Sequence, residues 1–160
     1  MRVGHGIDIH AYIKGRKLLL GGIQIPYDRG LDGHSDADCL LHAVIDALLG
    51  ASGGSDIGVR FPNNQSQWKD AESTKLLALV WAELSTAGWE FINMDASILA
   101  QEPKLQPFIP AMRSKIAAIL NCDVGRIAIK ATTTEGLGYV GRGEGVEAHC
   151  VVLLSKATGA

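Results

Sequence analysis

Cysteine is scarce in this sequence and long apolar runs are missing. The three cysteines stand far apart, at positions 39, 122 and 150, and no Cys-x-x-Cys pair occurs among the 160 residues. This odd, scattered set argues against a disulfide framework and against a cysteine zinc site. No stretch approaches the ~20 apolar residues of a membrane-spanning helix, and the first residues do not form a secretory signal. These absences predict a cytoplasmic protein.

An excess of charge of one sign is also missing. Fifteen Lys and Arg residues face 17 Asp and Glu residues, for a net charge of −2. Nucleic-acid backbones and anionic membranes require a basic surplus, so neither is expected as a partner. The hydrophobic share of 47% and the charged share of 20% are those of a globular protein. The length predicts one domain over residues 1–160.

Glutamate is absent from the first 56 residues, although this segment is rich in other ionisable groups. Four of the five histidines and seven of the ten aspartates of the chain lie in it. Asp and His are short ligands, whereas Glu is the better residue for a solvated helix surface. The amino-terminal third is therefore expected to hold a functional site.

Apolar periodicity predicts eight elements in the order strand, strand, helix, helix, strand, helix, strand, strand. The first helix is expected to begin near Ser35 and to stop at Gly50, and a Gly-rich connection is expected between the last two strands. Together these elements predict an α/β (α+β) fold, a two-layer sandwich in which helices cover one face of a mixed sheet. The expected ranges are 2–10, 17–26, 35–49, 71–87, 91–100, 107–120, 126–132 and 146–154.

A metal site is predicted from three residues of the amino-terminal third. Asp8 and His10 are two apart on a strand, so that both side chains leave the same face. His42 lies on the first helix, with Asp46 and Asp38 one turn away as candidate partners for its second ring nitrogen. One oxygen and two nitrogen ligands leave the fourth tetrahedral position open, as in a catalytic zinc site.

Two further segments suit an anionic ligand. His34-Ser35-Asp36 precedes the first helix, where free backbone N–H groups favour anions. Residues 130–135 offer three threonines and Glu135, and five glycines with Arg142 follow in residues 136–145. No helix directly follows these glycines and no P-loop motif occurs, which excludes both common nucleotide fingerprints. A long hairpin turn is the alternative reading of residues 130–145.

These motifs follow one family's pattern in order and over nearly the full length. They are Gly4–His10, His34–Asp38 with His42 and Asp46, Asp56–Gly58, Lys130–Glu135 and Gly141–Gly145. The chain resembles the 2-C-methyl-D-erythritol 2,4-cyclodiphosphate synthases. Two departures stand out: Tyr139 replaces the usual Phe, and the common Phe-Pro-Asp-Thr-Asp reads Phe-Pro-Asn-Asn-Gln over residues 61–65.

The resemblance implies a homotrimer in a bacterial cytoplasm, with active sites between adjacent subunits. It implies a zinc ion bound by Asp8, His10 and His42, with Asp46 as a hydrogen-bond partner of these ligands. It also implies a magnesium or manganese ion bound by Glu135. His34 and Thr133 would stabilise the transition state. The nucleotide-diphosphate substrate would be bound by two sets of residues. Its cytidine end would contact Ala100, Pro103, Lys104, Leu105, Ala131, Thr132 and Thr133, and the remainder would contact Asp8, His10, His34, Ser35, Asp56, Ile57, Gly58, Phe61, Tyr139 and Arg142.

The implied reaction closes a ring within one substrate molecule. The 2-phosphate of 4-diphosphocytidyl-2-C-methyl-D-erythritol 2-phosphate attacks the β-phosphorus and expels CMP, which requires no Ser or Cys nucleophile. Two rivals remain open. A zinc-dependent phosphoester hydrolase would use Asp46 or Asp56 as its base, and a non-catalytic trimer would only bind nucleotides or isoprenoid phosphates.

Overall fold

The computed structural model describes residues 1–62, 64–68 and 70–156, and seven strands in this part of the chain form two sheets. Five α-helices accompany the strands, three of them in succession after the first four strands. In chain order the elements are β1 (Arg2–Lys14), β2 (Leu18–Leu20), β3 (Ile23–Ile25), β4 (Arg29–Leu31), α1 (Cys39–Ser52), α2 (Ile57–Arg60), α3 (Ser73–Thr86), β5 (Trp89–Leu99), α4 (Ile109–Leu120), β6 (Ile127–Thr132), α5 (Gly138–Gly141) and β7 (Gly145–Lys156).

The main sheet is mixed, as the sequence predicts. Its strand order is β4-β1-β7-β5-β6, and β2 and β3 form a separate two-stranded sheet. Only β5 and β6 run parallel among these pairs, and the other neighbours are antiparallel. The register of β1 against β7 places Asp8 opposite Ala148 and His10 opposite Val146.

The long helices lie on one face of this sheet. α1 packs across β1 and β7, α3 contacts β5, and α4 contacts β6. A Cβ atom at Gly4 would lie 1.8 Å from the carbonyl oxygen of Ala47, and one at Gly6 would lie 2.0 Å from that of Ala43. Because these glycines lack side chains, the backbone of α1 rests directly on β1. This close approach brings the first helix next to the ligands on β1.

The opposite face of the sheet exposes apolar side chains. Val3, Ile7 and Ile9 alternate along β1 with residues that face the helices, and they are 66%, 46% and 52% exposed. Val151 on β7 is 44% exposed on the same face. The predicted arrangement of helices on one face is therefore confirmed.

The ends of the first helix differ from the sequence prediction. α1 begins at Cys39 because the buried Asp38 carboxylate accepts a hydrogen bond from the amide of Leu41, at 3.0 Å. It ends after Ser52, where Gly53 takes a left-handed conformation with φ of 85°. The predicted start at Ser35 and stop at Gly50 are thus wrong, since a better cap and a better stop lie three residues further on.

Two other features extend the prediction. β1 continues to Lys14, well past residue 10, and the Gly-rich connection before the last strand contains the helical turn α5. No helix in the described part of the chain is long and apolar enough to cross a membrane. Residues 157–160 lie outside that part, so the predicted domain of 1–160 is described as far as Lys156.

Candidate active site

Asp8, His10 and His42 converge where β1 meets α1, as the sequence predicts. Oδ2 of Asp8 lies 2.9 Å from Nε2 of His10 and 3.1 Å from Nδ1 of His42. The two ring nitrogens are 3.2 Å apart. Ligand atoms held about 2.0–2.1 Å from a tetrahedral zinc ion are separated by about 3.3–3.4 Å. The three atoms therefore form a triangle of the right size to share one metal ion.

The outer hydrogen bonds of the two histidines determine which nitrogen carries a proton. His10 Nδ1 lies 2.5 Å from the carbonyl oxygen of Asp32, which can only accept, so this nitrogen is protonated. The Ser73 hydroxyl donates to the Asp36 carboxylate, so its oxygen accepts from Nε2 of His42 at 2.9 Å. In the neutral form of each ring, the nitrogen turned towards Asp8 is therefore the one with a lone pair, as a metal ligand requires.

The electrostatics of the cluster suit a cation. Burial by itself would raise the pKa of Asp8, but hydrogen bonds and charges from His10 and His42 outweigh it and hold that pKa well below its usual range. For His10, burial lowers the pKa, and the hydrogen bond and charge of Asp8 more than compensate, so its pKa is raised. The carboxylate is thus ionised over the whole physiological range.

The predicted carboxylate partners of His42 have other roles. Asp46 Oδ1 accepts from the amide of Ile57 at 2.7 Å, which anchors the start of α2 beside the site. Asp38 caps α1 and also accepts from the amides of Gly21 and Gly22. The hydrogen bond predicted between His42 and Asp46 or Asp38 is therefore replaced by the bond to Ser73. The reason is that α3 brings its first residue against α1.

A cavity of about 260 Å³ opens beside the three ligands. Nε2 of His34 is buried within the site and has no hydrogen-bond partner among the described residues. Phe61 and Trp68 close one side, with their ring centroids 4.8 Å apart. Of the predicted substrate residues, this cavity is lined by Asp8, His10, His34, Ser35, Ile57, Gly58 and Phe61, whereas Asp56 instead caps α2 through the amide of Val59.

A second cavity, of about 600 Å³, is formed by the segment after β5 and the end of β6. All seven residues predicted to bind cytidine line it, so the structure brings them together. Tyr27 also lines it, although nothing in the sequence pattern around Tyr27 indicates this role. The additional lining residues are Gln101, Glu102 and Gln106.

Comparison with known proteins decides the family. The model of the YgbB family matches residues 1–155. The chain belongs to the YgbB family. It is 58% identical to the 2-C-methyl-D-erythritol 2,4-cyclodiphosphate synthase of Moorella thermoacetica over 154 residues, which cover 96% of this chain and 94% of the relative. It is 54% identical to that of Geobacter metallireducens over 156 residues, which cover 98% and 99%.

Solved structures of YgbB-like proteins have the same fold. A 2C-methyl-D-erythritol-2,4-cyclodiphosphate synthase in a CDP-bound form superimposes with a TM-score of 0.88 at 33% identity, and the match covers 96% of this chain and 100% of that one. The bifunctional IspDF from Campylobacter jejuni gives a TM-score of 0.93 at 44% identity, and the chain spans 42% of its length. The predicted resemblance to the cyclodiphosphate synthases is thereby confirmed.

The remaining predicted residues of this YgbB protein lie outside both cavities of the single chain. Glu135 accepts from the hydroxyl of Thr133 at 3.0 Å, in a turn after β6. Tyr139 donates to Glu147, and Nε of Arg142 donates to Glu144 at 2.7 Å. Asn63, within the segment that departs from the family pattern, lies outside the described residues.

Proposed function

We propose that the cavity beside Asp8, His10 and His42 is where this chain carries out its family's reaction. That reaction forms 2-C-methyl-D-erythritol 2,4-cyclodiphosphate with release of CMP, in the non-mevalonate route to isoprenoids. The chain is an enzyme with this activity, since full-length relatives at 51–58% identity are synthases of this name. The observation that carries the assignment of the site is the convergence of an acid and two imidazoles at one edge of a cavity.

The cluster fits zinc. Its three ligand atoms have near-tetrahedral spacing, both ring tautomers offer lone pairs, and the ionised Asp8 compensates part of the ion's charge. Three protein ligands leave one position open for a substrate oxygen. A zinc ion bound there supplies Lewis-acid polarisation of a phosphoryl oxygen. Asp8, His10 and His42 would hold it, and Asp32, Ser73 and Asp36 orient the two rings.

The residues of the chain position the reacting groups. The buried ring nitrogen Nε2 of His34 has no hydrogen-bond partner in the described part of the chain, and we expect it to hydrogen-bond a phosphoryl oxygen in the site. Phe61 and Trp68 line this cavity and would shield the methylerythritol part from water. An oxygen of the 2-phosphate then attacks the β-phosphorus, the bond from that phosphorus to the α-phosphate oxygen breaks, and CMP leaves with the electron pair.

The 600 Å³ cavity is proposed to take the cytidine end of the substrate. Its walls combine backbone groups of residues 100–106 with the threonines at the end of β6. Thr133 would contact the diphosphate in the transition state, and Glu135 would hold a magnesium or manganese ion whose charge offsets that of the leaving CMP. A solved relative in a CDP-bound form supports a nucleotide ligand for this fold.

A homotrimer with sites between subunits is proposed for the assembly. The exposed apolar face of β1 and β7, with Val3, Ile7, Ile9 and Val151, is the kind of surface that another subunit covers. A neighbouring subunit would also bring Tyr139 and Arg142 towards ligands that they do not reach within one chain. A bacterial source and a cytoplasmic location stay predictions.

The hydrolase alternative is less well supported by the contacts. A general base must reach the cavity beside the metal, yet neither Asp46 nor Asp56 lines it, and each engages one carboxylate oxygen with a backbone amide of α2. Incubating the purified enzyme with the diphosphocytidyl substrate in ¹⁸O-water distinguishes cyclisation from hydrolysis. We expect CMP and cyclic product in equal amounts, no ¹⁸O in either, and loss of both with a zinc chelator. Label from water would establish hydrolysis, and CDP binding without CMP release would establish a non-catalytic module.

A further inference from the structure

Three side chains outside both proposed ligand sets form a stack at the wall of the 600 Å³ cavity. The guanidinium of Arg29, at the start of β4, lies over the ring of Tyr12 at 4.7 Å and over that of Tyr27 at 5.3 Å. The two rings are 5.5 Å apart and tilted by 57°. Arg29 Nη2 also donates to the Tyr27 hydroxyl at 2.6 Å. A planar cation that lies against both rings of a contacting pair fixes all three groups against one another.

One end of the stack is attached to the loop that lines the cavity. The Tyr12 hydroxyl, on β1, donates to the backbone carbonyl of Glu102 at 2.5 Å. Glu102 immediately precedes Pro103, Lys104 and Leu105, and all four residues line the cavity. Burial raises the pKa of Tyr12, with a smaller contribution from Tyr27, so its hydroxyl keeps the proton that this bond requires.

The other end reaches the Gly-rich connection. Arg29 Nη1 donates to the carbonyl of Gly143 at 2.9 Å, and the amide of Tyr12 donates to the carbonyl of Glu144 at 2.8 Å. Tyr27 itself forms part of the cavity wall. One cation therefore links a wall residue, the anchor of the loop and the segment before β7.

We propose that Tyr12, Tyr27 and Arg29 form a positioning unit that holds residues 102–105 in the shape that binds the nucleotide. The proposal rests on the function proposed above, since it assigns the 600 Å³ cavity to the cytidine end. Tyr12 and Arg29 act through the loop rather than by contact with substrate. A loop fixed before binding does not have to be ordered when the nucleotide arrives, so the unit contributes to affinity.

Tyr12→Phe isolates the anchoring hydrogen bond, because it retains the stacked ring. The dissociation constant for CDP is expected to rise about 3–10-fold, as for the loss of one hydrogen bond to a backbone carbonyl. The KM for the diphosphocytidyl substrate should rise by the same factor, while kcat and the zinc content stay within twofold of wild type. Arg29→Lys keeps the charge but loses the planar stack and the fork of donors, and it should raise both constants about tenfold.

Thr86→Val provides the matched control. It removes a hydroxyl that donates to the carbonyl of Ala82 at 2.8 Å, on the exposed end of α3 and away from both cavities. CDP affinity should not change in this variant. Because Tyr12 and Arg29 belong to one unit, the double variant Tyr12→Phe with Arg29→Lys should lose less affinity than the two single losses multiplied.

The outcomes separate this inference from the proposed function. If wild-type enzyme releases CMP but both variants bind CDP as wild type does, the positioning unit is refuted and the function stands. A fall in kcat or in melting temperature with unchanged CDP affinity also refutes it, because that result indicates a merely structural stack. If wild-type enzyme releases no CMP from the substrate, the proposed function itself fails.

Discussion

Ser73 accepts a hydrogen bond from Nε2 of His42 at 2.9 Å while it donates to the carboxylate of Asp36. The amide of Ser73 also donates to Asp36, at 2.9 Å, which fixes the serine at the start of α3. A buried hydroxyl held at both ends has one orientation. The lone pair on His42 Nδ1 is therefore directed to the metal position by a residue on a different helix.

Replacing Ser73 by alanine should weaken metal binding more than it weakens the fold. Loss of such an outer hydrogen bond typically lowers metal affinity about 10–100-fold, because the His42 ring is then held less firmly, by the Ser35 hydroxyl 3.1 Å from the same nitrogen. Zinc affinity would be measured by competition with a chromogenic chelator. Ser114→Ala, which removes an exposed hydroxyl on α4, is the control. Equal zinc affinities in the two variants would contradict this role of Ser73.

His42→Ala should remove zinc and activity together while the fold survives. The remaining pair, Asp8 and His10, offers two ligand atoms, too few for a stable zinc site. Metal content after dialysis, CMP release and the far-ultraviolet circular dichroism spectrum would be recorded on the same sample. We expect the dialysed variant to retain little zinc, because one of its three protein ligands is lost, and to give a native-like spectrum. Full activity of the metal-free variant would refute the zinc assignment.

Zinc affinity should fall as the pH is lowered. The pKa of His10 is raised above its ordinary 6.5 because Asp8 stabilises the protonated ring, so a proton competes with the metal for Nε2. Below that raised pKa, affinity should drop by up to about tenfold for each pH unit. Calorimetric titration with zinc between pH 8 and pH 5.5 measures the slope, and a flat profile would show that His10 is not a ligand.

The metal-free protein should respond to pH in the opposite sense. A raised folded-state pKa stabilises the fold below the unfolded value of 6.5, and this contribution is lost as the pH rises through the raised pKa. In a chelator, the His10 contribution should therefore make the protein less stable towards alkaline pH. A His10→Gln variant serves as the reference, and the difference in melting temperature between the two proteins should narrow as the pH rises. A constant difference would contradict the ion pair with Asp8.

The metal ligands could be predicted from the sequence, whereas the residues that orient these ligands by hydrogen bonds could not. Asp8 and His10 share a strand face by the two-residue period, and that spacing is visible in the chain. Ser73 lies 37 residues from Asp36, and only the packing of α3 against α1 joins them. Local spacing predicts Asp46 or Asp38 as the partner of His42, but both carboxylates accept from backbone amides instead. Local periodicity predicts which face of a strand or helix a side chain occupies, whereas long-range packing determines its hydrogen-bond partner.

The glycine on β1 nearest to the site offers the last test. A methyl group at Gly6 would lie 2.0 Å from the backbone oxygen of Ala43, next to His42, so Gly6→Ala must push α1 away from β1. Overpacking of this kind costs about 1–3 kcal/mol or more, and it should also lower zinc affinity by separating His42 from Asp8. Gly50→Ala is the matched control, since the nearest atoms to its added Cβ are 4.0 Å away and the position is helical. The free energy of unfolding of this control should rise by about 0.5–1 kcal/mol. Chemical denaturation of both variants measures the contrast, and equal stabilities would mean that α1 does not rest on the backbone of β1.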